Sequence, residues 1–163
     1  MTRRSRKNSR KPSKHKELSL AVSRGTYVLA IHLPVSRRLK IGALGYRDLE
    51  KGYYVYVGSG RRNLIRRVER HLKKHKPIRW HIDYITSLTE TKPIQVAVTN
   101  KVGVECILSS KLAAEGKPLS KIGSSDCHCT THLIFFPSRL SMDKAVQKTF
   151  HALKLQTIKI NNL

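Results

Sequence analysis

Acidic residues are scarce in this chain: ten Asp and Glu stand against 33 Lys and Arg, for a formal charge of +23. A compact body with that imbalance repels itself unless a polyanion neutralises it, and nucleic acid is the commonest polyanion. Long apolar runs are missing too. No stretch approaches the length of a membrane span, and no basic segment leads into an apolar one with a cleavage site. The expectation is a soluble cytoplasmic chain with no membrane partner. Cysteine is sparse, at three residues, Cys106, Cys127 and Cys129. An odd number outside a secretory context gives no disulfide framework, so reduced thiols are expected. No internal repeat is visible, and 163 residues suit one domain able to bury a core without staples.

Apolar residues are also nearly absent from the first twenty positions. There Arg3, Arg4, Arg6, Lys7, Arg10, Lys11, Lys14 and Lys16 are opposed only by Glu17, which reads as a disordered basic arm over residues 1–20. Most of the positive charge remains on the rest of the chain. Gly25 to Leu33 is apolar and rich in β-branched residues, a buried strand ended by Pro34. Leu39 to Ile41 forms a short strand before Gly42 and Gly45, and Tyr53 to Val57 another, broken by Gly58-Ser59-Gly60. A hairpin with a long connection joins them.

Asn63 to His75 has helical periodicity, with Leu64, Ile65, Val68 and Leu72 as its apolar stripe and Pro77 beyond its end. Trp80 to Leu88 is ambiguous, with a short helix as its candidate element, whereas Ile94 to Val98 alternates as a strand. Val102 to Ala114 is a helix stopped by Gly116 and Pro118, and Leu133 to Phe136 is a last short strand. Residues 21–138 make the domain. A basic tail over 139–163 follows, amphipathic from Met142 to Leu155, either packed as a helix or loosely attached.

Asn63, Arg67 and His71 are spaced by four and project from one face of their helix. Arg67 offers a planar fork to a phosphate, and His71 donates to it or exchanges a proton near neutral pH. Arg62, Arg66, Arg70, Lys73 and Lys74 cover much of the remaining surface and are candidate phosphate contacts.

Gly25-Thr26-Tyr27, Tyr56-Val57-Gly58, the helix with Arg67 and His71, and Glu105 on a later helix occur in the order of the GIY-YIG nuclease superfamily. The chain resembles that superfamily from about Gly25 to Pro118. Further segments, Trp80-His81-Ile82-Asp83-Tyr84, Glu105-Cys106 and Gly123 through Cys129 to His132-Leu133, resemble a prokaryotic branch sometimes fused to endonuclease III. Thr26 and Val57 depart from the two tripeptides. The resemblance implies an α/β (α+β) fold with a small central sheet flanked by helices. It also implies an endonuclease hydrolysing phosphodiesters in DNA or structured nucleic acid, DNA being favoured. Tyr27 or Tyr56 then helps deprotonate water, Arg67 stabilises the phosphate, and Glu105 binds a divalent metal, Mg2+ or Mn2+. Such a hard cation prefers carboxylate and water oxygens. A phenol of ordinary pKa about 10 is a poor base unless that value is lowered.

The superfamily's asparagine after the glutamate and a proline is absent beyond Pro118; Ser124, Ser125 or Asp126 fills that space. A non-catalytic nucleic-acid-binding module is therefore the alternative, with the tyrosines packing or stacking. Composition alone also fits a ribosome-associated basic protein. Cys127, Cys129 and His132, with His128 between, are zinc-type donors, and Cys106 or His81 would have to be the fourth. Their spacing is unlike paired CxxC knuckles. The expectation is a tight loop with its cysteines packed under the sheet rather than zinc.

Overall fold

The computed structural model describes residues 23–156 and 158–160. The arm assigned to residues 1–20 lies outside the described residues. In chain order the strands are β1 (Gly25–Leu33), β2 (Arg37–Lys40), β3 (Tyr46–Leu49), β4 (Gly52–Gly60), β5 (Lys92–Thr99), β6 (Lys117–Pro118), β7 (Leu133–Phe136) and β8 (Ile158–Ile160). The helices are α1 (Leu64–Leu72), α2 (His81–Thr86), α3 (Glu105–Ala113) and α4 (Arg139–Ala152). Strands β2 and β3 pair as a separate ribbon, while the other six form one antiparallel sheet in the order β6-β7-β4-β1-β5-β8. The fold is α+β, as expected, with helices on both faces of the sheet.

Period-two alternation along β1 and β4 divides the core. Tyr27, Leu29, Ile31, Tyr54 and Tyr56 point to the face covered by α1 and α2, where they meet Leu64, Ile65, Val68, Ile82 and Ile85. Val28, Ala30, Val55 and Val57 point to the other face, against Leu108 and Leu112 of α3 and Met142, Val146 and Phe150 of α4. Burying each large apolar side chain contributes on the order of 1.5–3 kcal/mol, so α4 is an integral wall of the core. The segment expected as a tail thus closes the domain. The backbone of β8 also pairs with β5, setting Val98 opposite Ile158.

Strand β4 does not break at Gly58 but runs on to Gly60. Tyr27 lies opposite Gly58, and a Cβ there would overlap the Tyr27 phenol. The glycine is needed for close packing, and the chain stays extended through it. Gly58→Ala is expected to cost about 1–3 kcal/mol as an overpacked contact. Urea unfolding measures it, and a loss within experimental scatter of zero contradicts the close fit.

Among the described residues no helix is long and apolar enough to cross a membrane.

Candidate functional site

Pairing Leu29 with Tyr56 and Tyr27 with Gly58 sets the two tyrosines diagonally on adjacent strands, their ring centroids 6.3 Å apart. Helix α1 crosses this face, and its third turn lowers His71 between them. The Tyr27 hydroxyl lies 2.8 Å from His71 Nε2, and His71 Nδ1 lies 3.1 Å from Asp83 Oδ1. All three side chains are buried. Burial alone would raise the Asp83 carboxyl. Hydrogen bonds from His71, from the Trp80 and Arg79 amides and from Arg70 outweigh it and hold the group well below the usual carboxylate range.

An ionised Asp83 accepts the Nδ1 proton, which leaves Nε2 of a neutral imidazole to accept from the Tyr27 hydroxyl. Burial lowers the His71 pKa, and the nearby cations Lys76 and Arg70 lower it further, against the opposing pull of Asp83. Both phenols move the other way. Burial pushes Tyr27 well above its ordinary value, with the neighbouring Tyr56 adding to the rise; burial likewise raises Tyr56, with Glu105 adding to it. Arg67 opposes both shifts without reversing them. Both shifts oppose the lowered phenol pKa that a tyrosine base needs, so each phenol keeps its proton near neutral pH.

A cleft of about 720 Å³ opens beside Tyr56, Gly58 and Ser59, with Arg61, Arg62, Arg67, Trp80 and Glu105 among its walls. Arg67 is fixed at its rim. It donates to the Ser59 carbonyl at 2.7 Å and its guanidinium carbon lies 4.8 Å from the centre of the Trp80 ring. Asn63 precedes the helix in a left-handed conformation, φ 56°, and makes no side-chain cap bond. Of the expected phosphate contacts, Arg62, Arg66 and Lys73 are exposed.

Arg70 and Lys74 are committed elsewhere. Arg70 donates to both Asp83 oxygens at 3.0 and 2.9 Å and to the Pro77 carbonyl, and it lies over Trp80. Lys74 donates to the carbonyls of Thr86, Leu88 and Thr91, at and past the end of α2. Both expectations are corrected: buried carboxylate and carbonyl acceptors claim these cations, and helical periodicity cannot reveal acceptors on another segment. Asp83 and Trp80 were not singled out as site residues. Apart from their place in the Trp80–Tyr84 segment, the local signal is an acid at the third position of a short helix, where it accepts from the amide of Trp80 at 3.0 Å.

Glu105 begins α3 and faces the same cleft. Burial would raise its carboxyl, but the neighbouring His132 imidazole and Ser59 hydroxyl, together with the charge of Arg67, outweigh it and lower the pKa. Beside it lies a second group of donors. Cys106, Cys127, Cys129 and His132 bring one ligand atom each within 4.8 Å of one another. Burial and then the thiols of Cys106 and Cys127 push the Cys129 thiol up to about 12. The cysteines do not pack under the sheet; Cys106 is exposed and the other two are half-buried on the loop before β7.

Three thiols and an imidazole are the donor set of zinc, whereas magnesium and manganese prefer oxygen. This overturns the expectation of Mg2+ or Mn2+ on Glu105, whose Oε1 instead lies 3.3 Å from His132 Nδ1. His81, the other candidate fourth ligand, accepts from the Gly123 amide at 3.2 Å. Where the family asparagine is missing, Asp126 lines the cleft, Ser125 lines the adjoining hollow with Tyr56 and Trp80, and Ser124 is buried.

A family model described as a domain of unknown function, DUF123, matches residues 26–155. The chain belongs to the DUF123 family. No curated protein and no solved structure matches it. The DUF123 match runs from Thr26, beside Tyr27, through the helix with Arg67 and His71, to Glu105, the cysteine loop and α4, so cleft and thiol group lie in one family unit.

Proposed function

We propose that this chain is a cytoplasmic GIY-YIG-type endonuclease that hydrolyses phosphodiester bonds in nucleic acid, DNA foremost. The observation that carries the reading is the buried Asp83–His71–Tyr27 chain ending beneath a cleft lined by guanidinium groups. In this reading Arg67, with Arg61 and Arg62, holds the phosphate and offsets the charge that develops on it. Water attacks phosphorus as the bond to the leaving nucleotide oxygen breaks; the water's proton passes to the Tyr27 oxygen while the Tyr27 proton passes to His71 Nε2, and the departing alkoxide takes a proton from solvent in the cleft. Asp83 stabilises the imidazolium that results. His71 is then the base and Tyr27 the conduit, which removes any need for a free phenolate. Tyr56 is a neutral donor to a phosphoryl oxygen, and Glu105 orients water at the cleft mouth.

The test is incubation with labelled single-stranded, duplex, flapped and branched DNA and RNA, with added divalent cations as one axis. Cleavage that Arg67→Ala loses, while binding is largely kept, supports the reading. Equal loss of binding and cleavage contradicts it. Salt-sensitive binding without any cleavage favours the alternative, a non-catalytic binding module of the same fold.

The exposed cations make a separate prediction. Arg62→Ala with Arg66→Ala should weaken binding to all sequences alike and flatten the slope of log affinity against log salt by roughly two. Fluorescence anisotropy across a salt series measures this. An unchanged slope places the phosphate track elsewhere.

A further inference from the structure

We infer that Cys106, Cys127, Cys129 and His132 form a closed zinc centre and that its histidine ligand positions Glu105 at the mouth of the cleft. Cys106 comes from the first turn of α3, and the other three from the loop that leads into β7. The backbone already holds that loop in shape. The Lys121 amide donates to the Thr130 carbonyl, the His132 amide to the Ile122 carbonyl and the Val57 amide to the His132 carbonyl, at 2.8, 2.8 and 2.9 Å. The Ser109 hydroxyl donates to the Thr131 carbonyl at 2.5 Å and ties the loop to α3.

Tetrahedral zinc with sulfur ligands at about 2.3 Å sets its ligand atoms roughly 3.8 Å apart, so a group already within 4.8 Å closes on the ion with small side-chain movements. His132 Nε2 lies 3.4 Å from Cys127 Sγ, on the side of the thiols. Among the described residues its Nδ1 is buried without an aligned hydrogen-bond partner, and Glu105 Oε1 lies 3.3 Å away. An imidazole bound to zinc through Nε2 carries its proton on Nδ1, and a carboxylate is the usual acceptor for that proton. Glu105 therefore has two tasks: it receives the ligand's proton on one side and faces the cleft on the other. Four protein ligands leave no position open for water, so the ion holds architecture together and is not the source of a nucleophile. Thiolates of Cys106, Cys127 and Cys129 supply three negative charges, and zinc relieves the repulsion among them.

Protein purified under reducing conditions without chelator should contain about one zinc per chain by elemental analysis. Exchange for Co2+ should give the thiolate-to-cobalt absorption and intense visible bands of a tetrahedral site. Cys129→Ser should lose most of the bound metal. Glu105→Ala should weaken zinc binding roughly 10- to 100-fold in a chelator competition, and Glu105→Gln, which keeps an acceptor oxygen, should restore most of it.

A folded parent protein with three titratable thiols, no zinc and no cobalt–thiolate absorption overturns the centre, as does iron in its place. Glu105→Ala that binds zinc as tightly as the parent overturns the link to Glu105. The parent's cobalt spectrum needs no variant, so a misfolded mutant cannot obscure the result. None of these readouts involves cleavage, so the zinc centre and the nuclease reading succeed or fail separately.

Discussion

Asp83→Ala is expected to lower the unfolding free energy by about 3 kcal/mol, measured by urea unfolding near pH 7. Removing one partner of a buried ion pair leaves the other uncompensated, and Asp83 serves several partners at once. Its oxygens accept from Arg70, from His71 Nδ1 and from the amides of Arg79 and Trp80. Arg70 retains some access to water, with its side chain 19% exposed, which keeps the figure near the lower end for a buried pair.

The pH dependence follows from the sign of the Asp83 shift. Its folded pKa lies below the unfolded value, so its contribution is complete above the unfolded pKa and fades as pH falls through the folded one. Asp83→Ala should therefore destabilise strongly at neutral pH and progressively less in acid. A loss below about 1 kcal/mol at neutral pH would mean that the network adds little beyond a surface pair.

Tyr27→Phe should reduce cleavage about 10²- to 10⁴-fold, the usual worth of a positioned proton-transfer group. The ring is kept, so packing against Tyr56 and beneath Gly58 is preserved. The lost hydrogen bond to His71 costs roughly 1 kcal/mol of stability, because Nε2 is left without its donor. Nucleic-acid affinity should change little, since Tyr27 is buried and touches no phosphate in the proposed arrangement. Single-turnover cleavage, with anisotropy binding in parallel, separates the two effects. Cleavage that survives Tyr27→Phe removes the phenol from the proton path.

Much of this fold was legible in the chain because its signals are local. β1 and β7 are short apolar runs bounded by turn residues or proline, and both occur with the bounds the pattern gives. β4 runs past the end that its pattern predicts, because glycine reads as a breaker whereas Gly58 accommodates a ring on the neighbouring strand. α3 begins later than its pattern predicts: Val102 to Val104 lead into a helix that starts at Glu105.

The site divides along the same line. Tyr56, Arg67 and Glu105 share one cleft, with Tyr27 and His71 beside it, brought together from β1, β4, α1 and α3. Arg70 and Lys74 find their acceptors on α2 and its flanking segments, which helical spacing cannot see. Cys106 stands 21 positions before Cys127, and only the folding of the 119–132 loop against α3 makes them neighbours. Local spacing of the later cysteines argued against a metal; their tertiary placement supplies the fourth donor.

The most direct test of the central claim is the rate of single-turnover cleavage by the parent protein from about pH 5 to pH 10, on the best substrate of the panel. The account predicts a rate that rises from acid and levels off, with a midpoint below the ordinary histidine value of 6.5, because His71 must be neutral and burial lowers its pKa. Lys76, Arg70 and Asp83 face the same imidazole, and the net direction already includes them. A rate still climbing toward pH 10 would identify a phenolate as the base and contradict the relay. Binding with no cleavage at any pH would contradict the nuclease itself.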